Sequence, residues 1–176
     1  MPVDAPDRKE LDHLFSVTYE ELRRLAAAVR RSDPGASITP TALVNEAWLK
    51  LARTPQVANT SPLHFQRIAA RAMRQVLIEA ARRRMASKRD ASAWHVTFDA
   101  ESANAALDAE GLIALDAAME RLAQRSPRQA QLVEARFFGG LSVPDTAQVL
   151  GISESTVLRD WRLARAWLAR ELAAFR

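Results

Sequence analysis

The chain has 176 residues, with only five Gly and one Tyr against abundant Ala, Leu and Arg, a composition that favours helix and suits one domain or two small ones. It contains no cysteine, which excludes disulfides, zinc fingers, iron–sulfur clusters and thiol catalysis. The net charge of +4 is uneven: residues 1–60 balance, residues 61–90 carry eight basic against two acidic side chains, 91–127 two against six, and 128–176 seven against five, so two basic surfaces flank an acidic middle, as two contacts with one polyanion require.

The segment Met1–Leu11 is charged and contains proline. It lacks the apolar run of a signal peptide, and no segment reaches membrane-spanning length, which predicts a cytoplasmic protein with no membrane insertion. Leu11, Leu14, Phe15, Leu22, Leu25 and Val29 recur with helical spacing and predict a first helix over about Lys9–Arg31, ended by Ser32-Asp33-Pro34-Gly35. Thr39-Pro40 reads as an N-cap and a first-turn proline. A second helix follows to Arg53, with Ala42, Leu43, Ala47, Trp48, Leu49 and Leu51 as its apolar members. After a polar loop, Ser61-Pro62 repeats the cap-then-proline signal and opens a long third helix to about Arg84. Its stripe is Phe65, Ile68, Ala69, Ala72, Met73, Val76, Leu77 and Ala80; Arg67, Arg71, Arg74, Arg82, Arg83 and Arg84 lie largely off it. With Lys88 and Arg89 these arginines form a dense cationic cluster at the end of an amphipathic helix, a pattern that predicts DNA backbone contact.

Trp94 to Phe98 alternates like a short strand but shows no evident partner. Asp99 to Asp108 is small and acidic and reads as a solvated linker. A further helix is expected over about Ala109–Gln124. Ser126-Pro127-Arg128-Gln129 then offers a cap, a proline and a Gln at the capping-box position, and the helix it opens stops at Gly139-Gly140. The outcome is an all-α chain of two small helical domains, 8–90 and 109–176, joined by a linker over 91–108.

The run Ser142–Val157 carries the most specific local signal. Ala147 stands four residues before Gly151, and Val157 six after it. Two helices that cross steeply need a small side chain where they touch, a turn residue that tolerates positive φ, and an apolar residue to lock the second helix on the first. Leu150, Ile152, Val157 and Trp161 fill the inner positions, and Ser153 is placed to cap the second helix. Arg159, Arg162 and Arg165 are left outside, so the pattern is a helix-turn-helix whose second helix presents its first turns to a DNA groove. Trp161 and Trp167 read as core or domain-packing residues.

Three blocks, in this order and spacing, resemble the extracytoplasmic-function (ECF) sigma factors, initiation subunits of bacterial RNA polymerase. They are Thr39-Pro40-Thr41-Ala42-Leu43-Val44-Asn45-Glu46-Ala47, the stretch His64-Phe65 through Ala69-Ala70-Arg71-Ala72-Met73-Arg74 to Ala81-Arg82-Arg83-Arg84, and Arg159-Asp160-Trp161-Arg162-Leu163-Ala164-Arg165-Ala166-Trp167-Leu168. The resemblance implies that the first domain corresponds to sigma domain 2 and the second to sigma domain 4. It implies that helix Thr41–Arg53 docks on the clamp helices of the polymerase large subunit through Asn45, Glu46 and Trp48, although Trp48 reads equally as a core residue. It implies that Arg71, Arg74, Arg82, Arg83, Arg84, Lys88 and Arg89 hold the opened minus-ten element, with His64, Phe65, Trp94 and His95 as candidate base-stacking groups. It also implies that Glu154, Ser155, Thr156 and Arg159 reach base edges and phosphates of the minus-thirty-five duplex, with Arg162 and Arg165 on phosphates. Leu158 departs from the family, where Lys is common.

His13, His64 and His95 have no metal-ligand spacing, no nucleophile elbow or ordered triad occurs, and no Gly-rich loop could cradle phosphate. No catalytic residue, metal or cofactor is expected. The expected partners are core RNA polymerase and promoter DNA, and the resemblance admits an anti-sigma factor. The alternative is a helix-turn-helix regulator with an N-terminal helical domain that dimerises or senses a ligand, which has no need for a second basic, DNA-facing helix.

Overall fold

A computed structural model describes residues 5–32, 38–53, 60–87, 96–97, 106–107 and 109–174. Seven helices are found among them: α1 (Ala5–Ser32), α2 (Pro40–Leu51), α3 (Pro62–Ser87), α4 (Ala109–Arg125), α5 (Pro127–Val133), α6 (Val143–Leu150) and α7 (Glu154–Ala173). Between α3 and α4, β1 (Val96–Thr97) pairs antiparallel with β2 (Ala106–Leu107), Val96 opposite Leu107. The strand expected near residue 96 therefore has a partner after all, and it lies inside the stretch read as linker.

Local chemistry sets the helix starts. Thr39 Oγ1 accepts from the Ala42 N–H at 3.2 Å, and Ser61 Oγ from the His64 N–H at 3.3 Å, so both cap-then-proline signals act as read. Ser126 departs from expectation. Pro127 still opens α5, but the Ser126 side chain makes no capping bond, its backbone lying at φ −150° and ψ 88°, outside the usual N-cap geometry. Helices α1 and α3 also run longer than read, starting at Ala5 and ending at Ser87.

Helix α3 organises the packing because two of its faces are buried. One face, with Phe65, Ala69, Ala72, Met73, Val76 and Leu77, meets Leu11, Leu14, Leu22 and Ala26 of α1 and Leu43, Val44, Ala47 and Leu51 of α2. This is the stripe read from the sequence; the side chains of Leu25 and Val29 lie outside the described residues. The other face, with Ala70, Ile78 and Ala81, joins Leu112, Leu115, Met119 and Leu122 of α4 and Ala164, Leu168 and Leu172 of α7 in a second core. Alanines on both faces let neighbouring backbones approach closely on either side. A third, smaller cluster of Leu132, Ala147 and Val157 lies under the helix-turn-helix, with Val143, Leu150, Ile152 and Trp161 at its edge.

Helix α5 continues through a π-helical turn over Glu134–Phe138, and Gly139 N–H donates to Glu134 C=O at 3.0 Å. A Cβ on Gly139 would stand 2.5 Å from the Ala135 carbonyl oxygen. Gly151 differs: its φ of +64° is left-handed, but a Cβ there meets nothing within 4 Å. Gly151→Ala should therefore cost about 1–2 kcal/mol through backbone strain alone. Gly139→Ala should destabilise more, because backbone has to move. Thermal unfolding of both variants, followed by circular dichroism, checks this order.

Candidate nucleic-acid interface

The helix-turn-helix is held by short-range polar bonds at each bend. Ser142 Oγ accepts from the Asp145 N–H at 3.2 Å and caps α6; the buried Thr146 hydroxyl donates back to Ser142 C=O at 2.7 Å. At Gly151 the left-handed turn lets Ile152 N–H donate to Ala147 C=O at 3.1 Å, which closes the end of α6. Ser153 Oγ then accepts from the Thr156 N–H at 3.3 Å and starts α7. Val157 is fully buried against Ala147 and Leu132, as the spacing predicted.

That anchoring turns one side of α7 outward. Glu154, Ser155, Leu158, Arg159 and Arg162 are exposed along it. Thr156 is half-buried, and its hydroxyl lies 2.9 Å from Ser153 Oγ, so it serves the cap as well as any outside contact. Arg162 Nε donates to Leu158 C=O at 3.3 Å and lies along its own helix. Arg165 is half-buried, with its guanidinium 6.0 Å from the Trp161 ring centroid; Arg136 lies at 4.9 Å from the same ring. Burial, and then the charge of Arg165, lowers the pKa of Arg136. Trp161 and Trp167 both pack on the second core, in line with the sequence reading.

A residue whose role the sequence did not reveal aims the helix. Asp160 is only 2% exposed. Its carboxylate accepts from Arg128 Nε at 2.8 Å and lies 3.5 Å from Arg159 Nε. It thereby ties α7 to α5 and steadies the base of Arg159. A signal existed: Asp160 stands three residues after Val157 and four before Ala164, on the inward stripe of α7. A charge in that phase needs a partner.

The arginines of α3 separate into two groups. Arg71 and Arg83 are exposed, Arg84 is half-buried, and Arg83 Nε donates to Glu79 C=O at 3.3 Å. Arg74 was expected to face DNA, yet its side chain is 13% exposed and lies 3.5 Å from Asp116 and 3.4 Å from Glu134. Arg82 donates to the same Asp116 at 3.2 Å. The acidic middle, read from the sequence as keeping clear of nucleic acid, thus sets part of its charge against the basic helix. Lys88, Arg89, Trp94 and His95 lie outside the described residues. Phe65 is fully buried core. Burial, and then Arg67, lowers the pKa of His64, so its neutral ring can accept from Arg67 Nη2 at 3.1 Å.

On α2, Asn45 and Glu46 are exposed, and Leu49, four residues after Asn45, joins them at 53% exposure. Trp48 is half-buried and stacks on Phe15 with centroids 4.5 Å apart. Its main contact is with the first core. Among the described residues no group of His, Cys, Asp and Glu could hold a metal ion, and no helix is long and apolar enough to cross a membrane.

A family model described as ECF sigma factor matches residues 2–174. No curated protein and no solved structure matches the chain.

Glu134 supplies a test of this electrostatic reading. Burial raises its pKa, outweighing the attraction of Arg74, Arg71 and Arg67. A carboxyl whose folded pKa lies above its unfolded value favours the folded state when protonated. That contribution is complete below the unfolded pKa and is lost as pH rises through the folded one. The stability of the natural chain relative to Glu134→Gln should therefore rise as pH falls through that window. Urea unfolding of both proteins across the pH range measures it.

Proposed function

The chain belongs to the ECF sigma factor family, and from that premise we propose that it directs bacterial RNA polymerase to promoters with two recognised parts and assists in opening the DNA. Membership makes it a regulatory subunit of transcription initiation rather than a catalyst. The observation that carries the finer reading is the outward side of α7, capped by Ser153, locked by Val157 and steadied by Asp160. In this reading α7 enters the major groove of the upstream element. Glu154, Ser155 and Arg159 are placed for base edges, and Thr156, Arg162 and Arg165 for the cap and the phosphates.

Helix α2 is the polymerase-docking element. Its exposed side combines polar Asn45 and Glu46 with apolar Leu49, a mixture suited to a protein partner. Trp48 acts beneath it, through Phe15, as a support. Helix α3, with Arg71 along it and Arg82, Arg83 and Arg84 near its end, and with Lys88 and Arg89 beyond it, holds the opened strand of the downstream element. The family also admits an anti-sigma factor as a partner.

Reconstitution with core polymerase tests the reading as a whole. The polymerase large subunits should co-purify with the chain, and promoter-specific transcripts should appear. Tight, sequence-specific binding of promoter by the chain alone would instead indicate a helix-turn-helix regulator.

Two sets of variants test the parts. Asn45→Ala with Glu46→Ala should weaken core binding about tenfold, equivalent to ~1.4 kcal/mol, with helicity unchanged. Arg159→Ala should relax preference at particular upstream base pairs, since a good bidentate contact discriminates by about 1–3 kcal/mol. Neutralising Arg82, Arg83 and Arg84 together should reduce melting at every promoter and flatten the salt dependence. Transcription from a randomised upstream element and permanganate footprinting of melted thymines separate the two effects.

A further inference from the structure

The first two turns of α7 are polar on their outward side except at one place. Glu154, Ser155, Arg159 and Arg162 are exposed there, and among them stands Leu158, 47% exposed. Glu154 and Ser155 lie four and three residues before Leu158, and Arg162 lies four after it, so these three are its neighbours on the outward surface. Leu158 belongs to none of the three hydrophobic clusters.

A lone exposed leucine carries no message by itself, since folded proteins leave much apolar surface in water. Position gives this one its meaning. Helix α7 begins at Glu154, and at 1.5 Å per residue Leu158 stands ~6 Å along its axis, in the part of a recognition helix that meets base edges. Leu163, 55% exposed, stands ~14 Å along, in a later turn. The polar side chains near Leu158 are partly engaged within the protein. Arg162 Nε donates to Leu158 C=O at 3.3 Å, Arg159 Nε lies 3.5 Å from Asp160, and the Thr156 hydroxyl lies 2.9 Å from Ser153 Oγ. The Leu158 side chain is a hydrocarbon and has only packing to offer.

The major-groove edges of base pairs carry hydrogen-bond donors and acceptors and one apolar group, the C5 methyl of thymine. A leucine set against a donor or acceptor strips its water without replacing the bond, which costs affinity. Set against the methyl, it removes apolar surface of both partners from water.

We propose that Leu158 is a specificity-determining residue that selects thymine at one position of the upstream element by covering its C5 methyl. The assignment rests on the proposed placing of α7 in the major groove and adds to it the base that one side chain selects. Cytosine at that position is disfavoured twice: it lacks the methyl, and its N4 amino group is left beneath the leucine without an acceptor.

The test uses the chain bound to core polymerase and an upstream duplex that this complex selects from a randomised pool. Each thymine of the selected duplex is replaced in turn by uracil, which lacks only the methyl. At one thymine the replacement should weaken binding about fourfold, the effect of ~0.8 kcal/mol. The same replacement should change nothing for Leu158→Ala, whereas Leu163→Ala should keep the full effect. Leu158→Lys should move the preference at that base pair from thymine to guanine, whose O6 and N7 accept from an ammonium group. Ala and Lys are good helix formers and the position is exposed, so α7 keeps its structure in both variants. Uracil tolerated at every thymine, or a uracil effect equal in the unaltered chain and in Leu158→Ala, overturns the assignment and leaves the proposed function standing. A pool from which the complex selects no sequence removes the proposed function, and the assignment with it.

Discussion

Burial of α3 on two sides is the constraint from which the rest of the architecture follows. A helix with one apolar stripe needs one partner, and the stripe from Phe65 to Leu77 finds α1 and α2. Helix α3 has a second contact surface, where Ala70, Ile78 and Ala81 surround Arg74. Placing Arg74 there demands carboxylates, and Asp116 and Glu134 answer from α4 and the π turn. Burial raises the Glu134 pKa even with Arg74 beside it, so desolvation outweighs the Coulomb attraction at that site. The two halves of the chain are joined through a surface that is apolar at its edge and poorly hydrogen-bonded at its charged centre.

The helix-turn-helix is aimed by a different kind of interaction. Its sharp bend needs only Gly151 in the left-handed region and a small Ala147 at the crossing. Rotation of α7 about its own axis is set by Val157 and Asp160, both on the buried side. Val157 acts through shape. Asp160 acts through charge, since its carboxylate has to meet Arg128 and so holds α7 to α5. Arg159 leans on the same carboxylate, so a residue on the outward side is steadied from within. Leu158, 47% exposed, stands among these polar groups.

The sequence alone determined a good deal. Helical periods, the Thr39-Pro40 and Ser61-Pro62 starts, the Gly151 turn and the Ser153 cap are local events. They depend on φ preferences and on bonds spanning three or four residues, which neighbours in the chain decide among themselves. The all-α class, the helix-turn-helix and the family followed from those features and from the order of three sequence blocks. Trp48 was legible only as an alternative, because an aromatic on an amphipathic helix serves core and interface equally until Phe15 is seen beside it.

Tertiary structure decided the matters that join distant residues. Arg74 and Arg82 share a sequence pattern with Arg71 and Arg83, and a run of arginines off an apolar stripe reads as solvated or DNA-facing. Only the return of α4, more than thirty residues later, brings Asp116 against them, covering Arg74 and pairing Arg82 while its side chain stays exposed. The partner of β1 was likewise not evident, and neither was Arg128 as the partner of the carboxylate that aims α7. A charge carries its sign in the sequence but acquires its dielectric surroundings and its partner only when the chain closes on itself. Side chains of one kind on one helix therefore end in different electrostatic states, and no local pattern distinguishes them.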